Sequence, residues 1–260
     1  GVPQYLFAPI ALFCWFPPIG RYPARLMPIA IQETQAGDSR VVDPSMTAAW
    51  ILAKTAVQVA DLVWHEARVH LGLTHLVMEG VTIATQRQLS SRHPLHVLLA
   101  PHCRFTLAIN DFAKHHLIVP GGQVEQYIAP AIAGFLGVVA KTLSAFRWKD
   151  IALRNDLEAR GVNDVTRLPL YPYRDAAVDL WAAIERFVGE YVGLYYRDAD
   201  AVTDDVELLA WITELGAEDG ARLGGIAPPE TPAELTDLLT FFIFTASAQH
   251  SAINYSQWPF

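Results

Sequence analysis

Hydrophobic and polar positions change their rhythm several times along this chain, and each change marks an element. Residues 5–16 (YLFAPIALFCWF) and 27–33 (MPIAIQE) are short apolar runs bounded by proline and glycine, which predicts the two strands of a hairpin turning around Pro17, Pro18 and Gly20. Residues 34–46 are polar and predict a loop. Between Pro44 and Pro94 no proline occurs, so Thr47 to Ser91 predicts a helix longer than the usual 8–20 residues. Apolar residues occupy nearly every face of it, which predicts burial all round rather than an amphipathic stripe.

Further helices are predicted over 103–118, ended by Pro120, Gly121 and Gly122, and over 130–147, 175–196, 203–217 and 231–252. The segment 161–175, rich in proline and aspartate, predicts an irregular connector. The acidic segment 198–207 and the Gly/Pro-rich run 215–229 predict loops. No repeat, low-complexity tract or linker divides the chain. The expected fold class is all-α with a small N-terminal β-hairpin, built as one domain over 1–260.

The composition narrows the function classes. Hydrophobic residues make up 52% of the 260 positions and charged residues 18%, with a mean hydropathy of +0.21. That is oily for a globular domain, where charged residues are usually about a quarter. Yet no window holds the roughly 18 unbroken apolar residues of a membrane span. A net charge of −8 argues against a nucleic-acid partner, which needs a clustered basic surface. Cys14 and Cys103 form neither a disulfide framework nor a CxxC pattern, and read as core thiols. No signal peptide is visible, so a cytoplasmic location is expected for the chain as given. There is no GxSxG, Walker loop or GxGxxG.

The chemistry lies in histidines. His70 and His75 sit five apart in the long helix, and His250 and Asn254 sit four apart near the C-terminus. The second pair shares a face of an α-helix. The first pair, at 3.6 residues per turn, is about 140° apart and cannot share an ion unless the turn is widened. A π-bulge supplies that widening, and His65, His70 and His75 repeat the five-residue step, so widened turns are predicted here. Three imidazoles and an amide oxygen would suit iron better than a structural zinc, which recruits cysteine. Taken alone, however, the pair reads first as satisfied core histidines, since nine histidines make chance pairs common. The neighbours His115 and His116 diverge on a helix and cannot chelate. His93, His96 and His102 crowd around prolines and read as partners of loop carbonyls.

Longer strings go beyond spacing. WILAKTAVQVADLVWHEARVHLGLTHLVMEGVTIATQRQL (50–89) resembles the long central helix of lipoxygenases, and SRHPLHVLLAPHCRFTLAINDFAKHHLI (91–118) the segment that follows it. LPLYPYRDAAVDLWAAIERFVGEYVGLYY (168–196) and FTASAQHSAINYSQ (244–257) are similar to two further signatures of that family, as is the N-terminal YLFAPIALF. The motifs run in family order across almost the whole chain, in the form the bacterial branch carries.

The resemblance implies an iron dioxygenase acting on a polyunsaturated fatty acid and O2. In the family, a ferric hydroxide takes a hydrogen atom from a bis-allylic carbon, and O2 adds to give a conjugated hydroperoxide. His70, His75 and His250 match the histidine ligands, and Asn254 matches the fourth site; His65 matches a histidine that is not a ligand. The resemblance further implies a link from Glu66 to Gln257 that orients Asn254. Ala113 falls where the family carries Ala or Gly, a choice implying S-type products, and Leu117 falls on the leucine that clamps the diene. Phe112 stands where some animal members carry Arg or Lys to hold the substrate carboxylate, so that tether is not matched. A monomer with transient membrane association is also implied.

Lipoxygenases complete the iron shell with a C-terminal isoleucine carboxylate, for which this chain, ending at Phe260, has no match. It resembles the central part of a lipoxygenase catalytic domain. Two other functions therefore stand beside dioxygenase. One is an inactive lipid-binding or scaffold fragment lacking the fifth ligand; the other is a fatty-acid hydroperoxide isomerase.

Overall fold

The computed structural model describes residues 5–255. It opens with an antiparallel sheet of three strands in the order β1 (Ile10–Phe16), β2 (Arg25–Gln32) and β3 (Val41–Val42). The β1–β2 register slips between Leu12 and Phe13, so Ala30 and Pro28 are paired and Ile29 is passed over. Proline has no N–H for the ladder, and a bulge beside it absorbs the missing bond. β3 lies inside the segment predicted as a polar loop. Its Val42 is buried with Ile31 and Ala53, and that contact holds the strand in place.

The prolineless stretch is helical without a break. It comprises α1 (Thr47–Trp64), a π-helical segment (His65–Leu76) and α2 (Val77–Gln88). The predicted widened turns are therefore present, over a full twelve residues. The prediction of burial all round fails for α1. The sheet covers one stripe through Ala49, Trp50, Ala53 and Val57, while Ile51 and Leu52 remain 59% and 71% exposed. A narrow sheet contacts only one face of a cylinder, so the described residues leave the other apolar faces uncovered.

Beyond it come α3 (Pro94–Leu99), a 3₁₀ turn (Ala100–Cys103), α4 (Thr106–Phe112), a second π segment (Ala113–Leu117), α5 (Gln123–Tyr127) and α6 (Ile132–Ser144). The predicted 103–118 helix thus starts three residues later and runs unbroken from Thr106 to Leu117. Phe105, with φ of 67°, sits in the left-handed region and turns the chain before α4 begins. Two short helices, α7 (Trp148–Ile151) and α8 (Leu153–Ala159), precede the connector. Then follow α9 (Pro172–Tyr195), α10 (Ala199–Thr203), α11 (Val206–Gly216), α12 (Pro232–Phe244), a third π segment (Thr245–Gln249) and α13 (His250–Asn254).

α10 occupies part of the acidic segment predicted as loop. It forms because Asp198 caps it, accepting from the Ala201 amide at 2.9 Å. α12 is capped by Thr231, whose hydroxyl accepts from the Glu234 amide, with Pro232 at the first helical position.

The main core gathers α2, α9, α11 and α12 around Trp211, Phe241, Phe242, Leu235 and Leu239, all at 1% exposure or less. Trp211 Nε1 donates to the Thr85 hydroxyl, satisfying the one polar atom that this ring brings inside. Gly80 allows the 217–223 loop to lie on α2, since a Cβ there would stand 2.7 Å from that of Ala221. A smaller cluster of Val63, Ala67, Phe135 and Val139 joins α6 to the π segment. The histidine-bearing stretch of the central helix is thereby clamped between two cores. Among the described residues, no helix is long and apolar enough to cross a membrane.

Candidate metal centre

The π segment carries His70 and His75, and α13 begins at His250. With about 4.4 residues per turn, a π-helix aligns residues five apart as an α-helix aligns residues four apart. The two imidazoles thus leave the central helix on one side. The Nε2 atoms of His70 and His75 are 3.1 Å apart, and those of His75 and His250 are 3.2 Å apart. One ligand atom from each of the three lies within 4.8 Å of the others. Among the described residues this is the one group of three His, Cys, Asp or Glu side chains so disposed.

Neighbours define which nitrogen faces inward. His70 Nδ1 is 2.9 Å from a carboxylate oxygen of Glu66, one α-helical step before it. Burial works to raise the Glu66 carboxyl. Hydrogen bonds from His65 and His70 outweigh it and hold the group at about 2. An ionised carboxylate only accepts, so His70 carries its hydrogen on Nδ1 and turns Nε2, as an acceptor, towards His75. His75 Nδ1 lies 2.8 Å from Asn110 Oδ1 and is fixed in the same tautomer.

Burial lowers the pKa of His75, an effect that the hydrogen bond to Asn110 partly opposes. Burial and the adjacent histidines bring His250 down to about 4. Imidazole nitrogens that converge this closely need a shared proton or a cation between them. Donors bound to one ion at about 2.1 Å each stand roughly 3.0–3.4 Å apart, and the two observed spacings fall in that interval. The three side chains fit a single divalent or trivalent metal.

Two cavities flank the triad. One of about 360 Å³ is lined by His75 and His250 themselves, with Met78, Phe105, Ile109 and Ala246. It is mostly apolar and falls within the roughly 300–1,000 Å³ of small-molecule sites. A larger one, of about 650 Å³, touches His65 and not the three converging histidines. Its size alone does not make it the reaction site.

The other residues named from sequence fall as follows. Asn254 is one turn beyond His250 on α13 and is exposed. Gln257 lies outside the described residues. Ala113 and Leu117 open and close the second π segment and are half-buried. Phe112 is 49% exposed and packs on His116, with ring centroids 4.8 Å apart. None of these three lines either cavity. His93 caps α3 and pairs with Asp205, and His96 donates to the Leu89 carbonyl. His102 lines the smaller cavity, where burial lowers its pKa.

Sequence reasoning did not single out Asn110 or Glu79. A polar residue inside the apolar string FTLAIN, and an acid one α-helical step after His75, were the available signals.

The sequence profile of the lipoxygenase family matches residues 24–260. The chain belongs to the lipoxygenase family. It is 40% identical to the linoleate 9/13-lipoxygenase of Pseudomonas aeruginosa, over 97% of this chain and 37% of that protein. It is 39% identical to the human hydroperoxide isomerase ALOXE3, over all of this chain and 36% of that one. These values are too close to separate a bacterial from an animal branch. A lipoxygenase crystallised anaerobically in complex with arachidonate superposes with a TM-score of 0.88 at 34% identity, covering 98% of this chain and 38% of that one. A coral 8R-lipoxygenase gives 0.87 at 35% identity, covering 98% and 39%. The chain thus spans less than two-fifths of the relatives it matches.

Proposed function

We propose that this lipoxygenase chain forms the iron-binding heart of a fatty-acid dioxygenase, with His70, His75 and His250 as nitrogen ligands and Asn254 supplying an amide oxygen. The observation that carries the reading is the convergence of three imidazoles, with the Nε2 atoms of His75 and His250 meeting across 175 residues of sequence. All three donors are imidazole nitrogens, a donor type that suits iron. The names of the relatives support a polyunsaturated fatty acid as the substrate class.

When bound, iron supplies one-electron chemistry that lets a weak bis-allylic C–H bond be broken and O2 be added. The chain's own residues do the rest. Glu66 and Asn110 hold two imidazoles with their inner nitrogens unprotonated. Met78, Phe105, Ile109 and Ala246 offer the hydrocarbon chain an apolar surface next to His75 and His250. Ala113 is assigned the control of oxygen access, favouring S-type products, and Leu117 the clamping of the diene. Glu66 and Gln257 are assigned the orientation of Asn254, and residues 1–260 are taken as one domain.

Iron analysis combined with diene absorbance and oxygen uptake on linoleate tests the reading. Iron near one per chain, with hydroperoxide formed as oxygen is consumed, supports it. Protein that takes up no iron under anaerobic loading sinks it. The hydroperoxide isomerases among the relatives favour one alternative. It is recognised by conversion of added hydroperoxide without oxygen uptake.

A further inference from the structure

His75 and Glu79 lie one turn apart on the central helix, and Asn110 and Lys114 lie one turn apart across from them. The four form a closed ladder. Asn110, only 3% exposed, presents Nδ2 to two groups that can only accept: the His75 carbonyl at 3.1 Å and a Glu79 carboxylate oxygen at 2.8 Å. The other Glu79 oxygen pairs with the Lys114 ammonium. With its nitrogen committed to two acceptors, the amide must turn Oδ1 towards His75 Nδ1, at 2.8 Å. An oxygen at that position accepts, so it selects the imidazole tautomer that carries hydrogen on Nδ1.

We propose that Asn110 is a positioning residue for His75: it fixes the ring's tautomer and rotation so that Nε2 faces the triad centre, and Glu79 with Lys114 sets the orientation of the amide. The inference rests on the reading of His75 as a metal ligand for its purpose, but not for its geometry. The same residue grips both the backbone and the ring of His75. It therefore ties α4 to the π segment at the point where a small rotation would misdirect the donor. The Glu79–Lys114 pair makes the choice of amide orientation one-sided, because flipping the amide would set its oxygen against a carbonyl and a carboxylate.

Two measurements separate this proposal from the iron reading. In metal-free protein, ¹⁵N shifts of the His75 ring report the tautomer directly. Wild type is expected to show Nδ1–H, and Asn110→Ala a mixture or Nε2–H. An unchanged ring in Asn110→Ala, or an Nε2–H ring in wild type, overturns the proposal whatever the metal does. In a cobalt(II) titration, Asn110→Ala should weaken binding by about 10- to 100-fold, as loss of a group that orients a ligand does. Equal affinity in wild type and variant overturns the proposal. A wild type that takes no cobalt removes the iron reading and leaves the ring measurement to decide Asn110.

Lys114→Met, at a side chain 47% exposed, provides the arm that does not disturb the core. It should weaken cobalt binding by a smaller factor and shift the Asn110 side-chain amide resonance. No change in either removes Lys114 from the ladder.

Discussion

The Nε2 atoms of His75 and His250 stand 3.2 Å apart, although everything from α3 to α12 separates them along the chain. Both rings belong to the proposed ligand set, so removing either should cost the metal; His75→Ala also leaves the buried Asn110 oxygen without its partner and should lower stability as well. His75→Ala and His250→Ala are expected to bring iron content from near one to near zero per chain by elemental analysis. Added Fe(II) should raise the stability of wild type by roughly 2.7 kcal/mol at a hundredfold excess over Kd, and that of the variants not at all. Retained iron in His75→Ala would remove it from the ligand set.

Glu66 serves His70 as Asn110 serves His75, but with a full negative charge. Glu66→Gln keeps a hydrogen-bond acceptor and loses the charge, so a several-fold loss of iron affinity is expected. Glu66→Ala leaves Nδ1 without its carboxylate and should lose about 10- to 100-fold. Competition with a chelator measures both, and equal affinities for all three proteins would exclude the role.

Ala113→Gly addresses oxygen access. Removal of the methyl is expected to add R-type hydroperoxide to an S-type product, with iron content unchanged. Chiral chromatography of the products reads this directly. An unaltered S-type product would leave Ala113 an ordinary packing residue.

Asp205 gives the fold a pH dependence of its own. Burial works to raise its carboxyl, but the Leu208 amide, the Tyr196 hydroxyl and His93 outweigh that and hold it below the usual value. A depressed carboxyl contributes stability above its unfolded pKa of about 3.9, and loses it as pH falls through the folded value. Asp205→Ala should therefore cost about 2–4 kcal/mol at pH 7, with the gap narrowing below pH 4. Urea melts at pH 7 and pH 3 check the sign; a gap that widens in acid contradicts it.

Gly80→Val tests the close approach of the 217–223 loop to α2. The contact of 2.7 Å expected for its Cβ forces the loop outward, and overpacking of this kind costs about 1–3 kcal/mol. Chemical denaturation that shows no loss would mean the loop yields freely.

The pair His70/His75 shows what the sequence could and could not convey. Its five-residue step conflicts with an α-helix only if both rings share one ion; on that condition the step predicts the widened turn, which the π segment supplies. The Glu66 contact was likewise within reach, being local to one helix. Asn110 was not, since its distance from His75 is 35 residues and depends on the left-handed turn at Phe105. The exposed faces of α1 were misjudged because composition says how apolar a helix is, and not how wide a neighbour it will find.

The amino-acid order by itself determined the helical class, the hairpin, the long central helix and the histidines of interest, because those follow from local periodicity, proline placement and motif. The bringing together of His250 with His70 and His75 was decided only in three dimensions. So were the third strand on Val42 and the ladder from Lys114 to His75. Each is a contact between distant segments, fixed by how the buried faces of α2, α6, α9, α11 and α12 pack, and no residue's neighbours along the chain encode it.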